Sequence, residues 1–278
     1  MSTGSATPGP VCRVGLVVYP GFKTLEATGP LSVLRYANEH LRAAGQAGGY
    51  EVTVMAPEPG HVPSDTLMTL DATAPLPEGD LPGTVFVAGA AGIEAALERE
   101  AALVSWCRRN APRTDRFAAL CTGSFFLAAA GLLDGKTAAT HWNYADRLRQ
   151  IFPQVTVDAD AIFLRHGNLW TSAGVTAAID LSLAFVEQDY GRDIALRVAR
   201  RARHGDVSQA SGRAVAVLDH ADGADGGRLG DGRHPNVAQP EPRPADDGRG
   251  HGRPRRDEPA QLYPRVHRRT GCVADGVA

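Results

Sequence analysis

The chain has 278 residues, of which 43% are hydrophobic and 22% are charged, and its net charge is −2. These values predict a soluble globular protein with a large buried core. They exclude a strongly basic nucleic-acid-binding chain and, because no apolar run approaches the roughly 20 residues required, a membrane-spanning helix. Four widely spaced cysteines without a CxxC pair argue against a zinc site or a disulfide scaffold, and we expect no metal or cofactor. The N-terminus has no secretory signal pattern, which predicts a cytoplasmic protein.

Residues 11–203 alternate between short apolar runs and segments of helical periodicity. This alternation predicts an α/β fold, with an open and mainly parallel sheet covered by helices on both faces. The predicted strands are, in chain order, Cys12–Tyr19, Tyr50–Ala56, a short strand at Thr66–Leu70, Thr84–Ala88, Arg116–Leu120, Val155–Val157, Ala161–Arg165 and Leu169–Ser172. The predicted helices are Leu25–Ala44, Ile93–Asn110, Gly123–Leu133, Val175–Tyr190 and Asp193–Arg203.

The composition changes sharply after this domain. Residues 204–278 are rich in Gly, Pro, Arg and Asp, and Tyr263 is their only aromatic residue. Such a segment buries too little apolar surface to offset its ordering entropy, so we predict a disordered tail, and we expect residues 1–10 to be a flexible N-terminus. Arginine clusters in the tail could contact nucleic acid, but a solvated disordered stretch is the preferred interpretation.

One strand end carries a cysteine. In open α/β sheets, sites form beyond the carboxyl ends of the strands. Cys121 follows a buried strand and precedes Thr122, Gly123 and an apolar helix, an arrangement that resembles a nucleophile elbow. The N–H groups at a helix start favour a thiolate. The alternative is a small buried cysteine, as we expect for Cys12 and Cys107, which lack this context.

A second strand end is built from small residues. Gly89, Ala90 and Gly92 follow the strand that ends at Ala88 and precede a helix. Small side chains let backbone N–H groups approach a ligand, as an oxyanion hole requires. A dinucleotide-binding loop is a weaker interpretation because the GxGxxG spacing is absent.

Two further side chains are candidates for proton transfer or binding. Glu26 lies near the start of the helix after the first strand, where it either complements the helix dipole or acts as a general acid and base toward Cys121. His141 lies beside Trp142, and it is a structural residue unless folding brings it next to Cys121.

These segments together resemble one known family. CTGSFFLAAAGLLDGKTAATHW (Cys121–Trp142) is similar to the nucleophile segment of the ThiJ/PfpI superfamily, which has the class I glutamine-amidotransferase-like fold. LEATGPLSVL (Leu25–Leu34), the Gly89–Gly92 loop and GNLWTSAGVTAAIDLSLAFVE (Gly167–Glu187) match it as well, so that the resemblance covers nearly all of residues 12–203.

The resemblance implies a flavodoxin-like three-layer sandwich, a homodimer, and a thiolate at Cys121 that is hydrogen-bonded to the acid Glu26. Glu26 is one methylene longer than the aspartate usual in the closest subgroups, which shifts any proton donor. Ala90 and Ala91 stand where the family often has glycine, which restricts the backbone. Thr122 stands where the proteases and glyoxalases of the superfamily often have histidine, which argues against protease activity.

Two subgroups are the best match: isonitrile hydratases, which add water to an isonitrile carbon, and AraC-type regulators, in which this domain senses a small molecule ahead of a double helix-turn-helix. The tail as written contains no helix-turn-helix pattern. In a reading frame shifted by one base, however, codons for Gly205–Gly223 can encode a linker that resembles the one in AraC-type regulators. In the same shifted frame, codons for Asp257–Gly276 can encode a segment that resembles the first helix-turn-helix of these regulators. We therefore hypothesise that the reading frame slips near Arg201–His204.

The sequence thus predicts the sensing domain of an AraC-type regulator that binds DNA only if the frame is restored. Its small-molecule pocket is predicted to be lined by the candidate residues: Cys121, Glu26, Gly89, Ala90, Gly92, Thr122, Gly123 and His141. The main alternative is an isonitrile-hydratase-like enzyme, in which Cys121 attacks an electrophilic carbon and Glu26 relays the proton. A third possibility is a structural or redox-sensing dimer in which Cys121 is only oxidised.

Overall fold

The computed structural model describes residues 11–202. Their chain folds into an alternation of strands and helices, as the apolar pattern predicts. The strands are β1 (Val11–Val17), β2 (Gly49–Ala56), β3 (Gly60–Pro63), β4 (Thr69–Ala72), β5 (Ala74–Pro75), β6 (Thr84–Val87), β7 (Arg116–Ala119), β8 (Thr137–Ala138), β9 (Thr156–Val157), β10 (Phe163–His166) and β11 (Leu169–Ser172). The helices are α1 (Thr24–Ala43), α2 (Ile93–Arg99), α3 (Ala101–Asn110), α4 (Ser124–Ala129), α5 (Ala145–Ile151), α6 (Ala177–Tyr190) and α7 (Arg192–Ala202).

Seven of these strands form the central sheet in the order β10-β11-β7-β6-β1-β2-β5. All neighbouring pairs are parallel except the β10–β11 hairpin at one edge. Strands β3 and β4 form a separate antiparallel hairpin, and β8 pairs with β9. The predicted α/β fold with a mainly parallel sheet is therefore confirmed.

Each face of the sheet packs against its own group of helices. Along β1, Val14 and Leu16 face a cluster that includes the buried residues of α1, α6 and α7, whereas Val17 faces a second cluster with those of α2 to α5. The alternation follows from the two-residue period of a strand and produces the three-layer sandwich. Helices α1 and α6 approach closely at Gly29, where a Cβ would lie 2.9 Å from Cγ1 of Ile179.

The helix predicted at Ile93–Asn110 is two helices, because Glu100 leaves the helical region with φ −102° and ψ 39°. In one continuous helix, Trp106 would lie about 140° around the axis from Ile93. The break brings both side chains into the same buried cluster.

Other boundaries also differ from the prediction. The helix predicted at Gly123–Leu133 begins at Ser124 and ends at Ala129, because Gly131 adopts φ +73° and its N–H bonds to the carbonyl of Ala128. The strand predicted at Thr66–Leu70 is mostly the loop of the β3–β4 hairpin. Strand β8 and helix α5 were missed, since both are short and carry little apolar pattern.

A buried polar network closes the amino-terminal edge of the sheet. Arg116, the first residue of β7, donates hydrogen bonds to both carboxylate oxygens of Asp189 at 2.9 and 2.8 Å. Tyr50 donates to the same carboxylate at 2.7 Å, and Arg116 also donates to the hydroxyl of Thr84. The side chain of Asp189 is 0% exposed. Every charge in this network has a partner, so the network ties α6 to three strands.

The predicted tail and its arginine clusters lie outside the described residues, as does the predicted flexible N-terminus. Within residues 11–202, no helix is both long enough and apolar enough to cross a bilayer.

Candidate functional site at the carboxyl edge of the sheet

The predicted site residues come together where the strand order reverses. From β1 the chain crosses by way of α1 to β2 on one side, and later returns to β6 on the other side of β1. Ligands of doubly wound sheets bind in the crevice at such a switch point. Glu26 follows β1, Gly89 follows β6 and Cys121 follows β7, so one edge of the sheet holds all three.

Cys121 lies on a strained turn between strand and helix. Its φ of +53° makes it the only residue other than glycine with positive φ among residues 11–202. Holding a side chain in this region costs on the order of 1–3 kcal/mol and is common at functional sites. A Cβ on Gly123 would lie 2.5 Å from the carbonyl oxygen of Val87, so the turn packs against β6 with no space for a side chain there. The predicted elbow therefore has the expected geometry.

Hydroxyl groups hold the backbone of this turn. Thr140 donates to the carbonyl of Cys121 at 3.1 Å, and the hydroxyl of Ser124 lies 3.0 Å from the same oxygen. The N–H of Cys121 donates to the hydroxyl of Ser172 at 3.4 Å. All three hydroxyl residues are buried. The surrounding hydrogen bonds thus maintain the strained conformation.

Glu26 is a fully buried acid with a single backbone donor. Its Oε2 accepts the N–H of Gly89 at 2.7 Å, and its buried Oε1 has no hydrogen bond of good geometry to any group of residues 11–202. Burial raises the pKa of Glu26 from 4.5 to about 7, against the opposing effects of hydrogen bonding with the Cys121 thiol and with Gly89. The carboxyl group can therefore hold or release a proton near neutral pH.

The Cys121 thiol is also fully buried. Burial raises its pKa well above the ordinary value, and the nearby Glu26 carboxyl raises the pKa further, whereas the N–H of Thr122 and the Lys23 ammonium lower it. This direction is opposite to the predicted thiolate, because desolvation outweighs the favourable N–H groups at the turn.

The Gly89–Gly92 loop holds the site together. Gly89 of this loop binds Glu26, as described above. Ala90 forms two hydrogen bonds with the Thr122 hydroxyl: its N–H donates to the hydroxyl at 2.9 Å, and its carbonyl accepts from the hydroxyl at 2.8 Å. A Cβ on Gly89 would lie 2.5 Å from that hydroxyl oxygen and 2.9 Å from Oε2 of Glu26, so glycine is required there. Two N–H groups of the predicted oxyanion hole, those of Gly89 and Ala90, are thus already engaged. Gly92 is exposed at the start of α2 and bonds to neither Glu26 nor Cys121.

His141 lies at the margin of the site. Its Nδ1 accepts the N–H of Asn143 at 3.2 Å, its ring stacks on Trp142, and it makes no hydrogen bond to Cys121 or Glu26 in the described part of the chain. Partial burial and, to a smaller extent, the charge of Lys23 lower the pKa of His141, which favours the neutral ring near pH 7. The structure therefore favours its structural interpretation.

Two important residues escaped the sequence analysis. Tyr19 is fully buried after β1 and donates to the carbonyl of Ala88 at 2.8 Å. Lys23 donates its backbone N–H to the carbonyl of Gly89 at 2.9 Å, and its ammonium group lies 3.6 Å from Asp65. Tyr19 lies just after β1, and Lys23 lies immediately before α1. Their position in the connection beyond the end of β1 was the available signal. Within residues 11–202, no group of three His, Cys, Asp or Glu side chains is placed to hold a metal ion.

The fold and the site together define a class of proteins: doubly wound α/β domains that carry a cysteine on a strand-to-helix turn beside a buried acid. The sequence model of the DJ-1/PfpI family matches residues 12–188, and the chain belongs to this family. The ThiJ/PfpI resemblance inferred from the motifs is thereby confirmed.

Curated relatives include both subgroups named above. The HTH-type transcriptional regulator CdhR of Pseudomonas aeruginosa is 34% identical over 188 residues, which cover 66% of this chain and 53% of the regulator. The isonitrile hydratase of Pseudomonas putida is 31% identical over 183 residues, which cover 66% of this chain and 74% of the enzyme. The HTH-type transcriptional regulator GlxA of Rhizobium meliloti is 32% identical over 62% of this chain and 54% of its own length. The chain thus spans about half the length of these two regulators.

Solved structures agree on the fold. A ThiJ/PfpI family protein from Pseudomonas syringae aligns with a TM-score of 0.61 at 22% identity and covers 74% of this chain and 80% of its own. An AraC family transcriptional regulator from Pseudomonas putida aligns with a TM-score of 0.54 at 24% identity and covers 68% of this chain and 98% of its own.

Proposed function

We propose that residues 11–203 form the small-molecule-sensing domain of an AraC-type transcriptional regulator, and that residues 204–278 are the out-of-frame product of its helix-turn-helix region. The observation that carries this proposal is the alignment with CdhR and GlxA, two HTH-type regulators of which only about half is matched. The resemblance of the shifted codons to a linker and a helix-turn-helix supports it independently.

The geometry of the site supports sensing without turnover. Cys121 and Glu26 are both 0% exposed, and the N–H groups of Gly89 and Ala90 are already engaged. A sensor needs only a ligand that binds one conformation of the domain more tightly than another. A closed, strained turn held by hydrogen bonds is suited to such a two-state response.

Resequencing the gene across codons 195–280 and beyond the stop tests the proposal. We expect a corrected frame that opens into the full helix-turn-helix region. In an electrophoretic shift assay on the upstream DNA, the frame-restored chain should bind in a sequence-selective and salt-resistant manner, and the present chain should not. The proposal would be contradicted if resequencing confirmed the reading frame as written, or if the present chain bound the DNA tightly and selectively.

The second candidate is an isonitrile hydratase, which the 31% identity over 74% of that enzyme favours. In this mechanism the Cys121 sulfur bonds to the isonitrile carbon, its proton passes to that carbon through Glu26, and water then displaces the thiol to release an N-formamide. Turnover would be followed as the disappearance of the infrared isonitrile band. Turnover by the present chain and by Cys107→Ser, but not by Cys121→Ser, would support the enzyme. No turnover across several isonitriles would count against it.

We also propose a cytoplasmic homodimer, as the family resemblance implies. Light scattering of the purified chain should give twice the mass of one chain, and cell fractionation should recover the protein with cytoplasmic markers. A monomer at micromolar concentration would contradict the dimer.

A further inference from the structure

One peptide group of the site is hydrogen-bonded to a side chain at each of its ends. The hydroxyl of Tyr19 donates to the carbonyl oxygen of Ala88 at 2.8 Å. The N–H of Gly89, which belongs to the same peptide group, donates to Oε2 of Glu26 at 2.7 Å. Because a peptide group is planar and this bond is trans, its C=O and N–H point in opposite directions. Tyr19 and Glu26 therefore hold one rigid unit from opposite sides.

The tyrosine has a fixed place beneath the site. Tyr19, Glu26 and Ala88 are all 0% exposed, so bulk water does not compete for their polar atoms. The Tyr19 ring packs against Phe126 of α4, with ring centroids 5.0 Å apart and an angle of 59° between the planes. Its carbonyl accepts the N–H of Phe22 at 3.0 Å. The hydroxyl is thus held by packing on one side and by the chain on the other.

The backbone on both sides of this peptide group is fixed by other hydrogen bonds. The N–H of Ala88 donates to the carbonyl of Val17 at 3.1 Å, and the carbonyl of Gly89 accepts the N–H of Lys23 at 2.9 Å. With both flanks held, the remaining motion of the peptide group is a rotation about the line that joins its two Cα atoms, which glycine resists less than other residues do. A hydrogen bond at the oxygen end opposes this rotation and keeps the N–H aimed at the carboxyl group.

The hydroxyl also changes the strength of the bond at the other end. A donor on the carbonyl oxygen polarises a peptide group, which makes its N–H a better donor. An ionised carboxyl gains more from such an N–H than a protonated carboxyl does. Tyr19 therefore favours the carboxylate form of Glu26, against the effect of burial.

Other titratable groups lie around this pair. The groups that act on the charge of Glu26 are the Cys121 thiol, the Lys23 ammonium and the Asp65 carboxyl. Tyr19 itself remains a neutral donor, because burial raises its pKa well above the ordinary value and nearby acidic groups raise it further. Those groups are Glu26, Cys121, Glu100 and Cys107. The tyrosine thus keeps its proton, and its hydrogen bond, over the pH range in which Glu26 titrates.

We propose that Tyr19 is a positioning residue of the site, which acts on Glu26 through the Ala88–Gly89 peptide group. It aims and strengthens the N–H that Glu26 accepts, and it thereby favours the carboxylate that can take the proton of the Cys121 thiol. This inference concerns the site itself, and it holds whether the domain senses a ligand or turns over an isonitrile.

Removal of one oxygen atom tests the proposal. Tyr19→Phe keeps the ring and deletes the hydroxyl, and the full chain would be labelled with ¹³C at the glutamate side-chain carboxyls. The Glu26 resonance is identified by its absence from Glu26→Gln and is followed by NMR across neutral pH. We expect the midpoint of its titration to move upward by about half a pH unit in Tyr19→Phe, because a less polarised N–H stabilises the carboxylate less.

The other edge of the sheet provides a matched control. Tyr50 is also buried and also donates one hydrogen bond from its hydroxyl, to Asp189 at 2.7 Å. Tyr50→Phe should lower stability but leave the Glu26 midpoint unchanged. An unchanged or lowered midpoint in Tyr19→Phe, or an equal shift in both variants, would overturn the proposal.

A second measurement keeps every tyrosine in place and decides the question if Tyr19→Phe does not fold. Incorporation of 3-fluorotyrosine makes the hydroxyl more acidic and therefore a stronger donor. The Glu26 midpoint should then move downward, both in the present chain and in Tyr50→Phe. An upward shift or no shift would contradict the proposed role.

These outcomes are separate from the proposed functions. If the frame-restored chain binds no DNA but the midpoint shifts as expected, the role of Tyr19 stands and the regulator proposal fails. If DNA is bound and the midpoint does not move, the regulator proposal stands and the role of Tyr19 fails.

Discussion

Buried charge is treated differently at the two edges of the same sheet. At the amino-terminal edge, Asp189 receives two hydrogen bonds from Arg116 and one from Tyr50. At the carboxyl edge, Glu26 accepts one backbone N–H at Oε2, and in the described part of the chain nothing forms a hydrogen bond of good geometry with its other oxygen. The paired charges at the amino-terminal edge stabilise the fold. The carboxyl edge instead contains a desolvated acid beside a strained cysteine, a combination that is typical of functional sites.

The largest effect is expected from breaking the amino-terminal pair. Arg116→Met leaves the Asp189 carboxylate buried without its cation and should lower the free energy of unfolding by about 3–5 kcal/mol in urea titrations. The double variant Arg116→Met/Asp189→Asn should recover part of this loss, because both charges are removed. Arg35→Met breaks an exposed pair with Glu39 and is the control, with little expected change. An equal loss in Arg116→Met and the control would contradict a structural role for this edge.

The burial of Glu26 at the carboxyl edge should make the free energy of unfolding depend on pH. Burial raises the pKa of Glu26 to about 7, so between pH 4.5 and 7 the unfolded carboxyl is ionised while the folded one keeps its proton. The folded state then binds more protons, so its stability falls as pH rises through this window, by about 3 kcal/mol in total. Glu26→Gln should lack this decrease. Urea titrations at pH 5 and pH 8 measure the difference, and parallel profiles for the two proteins would contradict the buried acid.

A side chain placed between the elbow and the acid should be moderately destabilising. Gly89→Ala puts a Cβ 2.5 Å from the Thr122 hydroxyl and 2.9 Å from Glu26, an overpacking that should cost about 1–3 kcal/mol. Gly92→Ala is a matched control in the same loop, because nothing lies within 4 Å of its Cβ position and its φ is −98°. If thermal melts show equal shifts for both variants, the close approach at Gly89 has no energetic consequence.

The smallest expected effect concerns thiol reactivity. Because the Glu26 carboxyl raises the pKa of Cys121, Glu26→Gln should speed the alkylation of Cys121 by iodoacetamide at pH 9 several-fold. Cys107, a buried free cysteine of α3, is the internal reference and should not change. A slower reaction in the variant would mean that Glu26 stabilises the thiolate by donating its proton, which would reverse the sign of the comparison.

Much of the fold could be predicted because its strands are continuous apolar runs. β6 and β7 are buried on both faces, and both were placed to within one residue at their starts and ends. Elements whose boundaries depend on distant neighbours were not predictable in this way. The break at Glu100 exists because two parts of one apolar segment must reach the same core, and a local pattern carries no information about that core.

The family, the sheet and the residues that meet at its carboxyl edge could all be inferred from local patterns, because strand ends and motif spacing are local properties of the chain. The behaviour of these residues depends on the tertiary structure. It buried Glu26 and Cys121 together, so that desolvation raised both of their pKa values where the helix start alone predicted a thiolate. It also engaged the N–H groups of Gly89 and Ala90 and placed Lys23 beside an apolar cavity. Burial and pairing depend on contacts between residues far apart in the chain, and no local pattern encodes them.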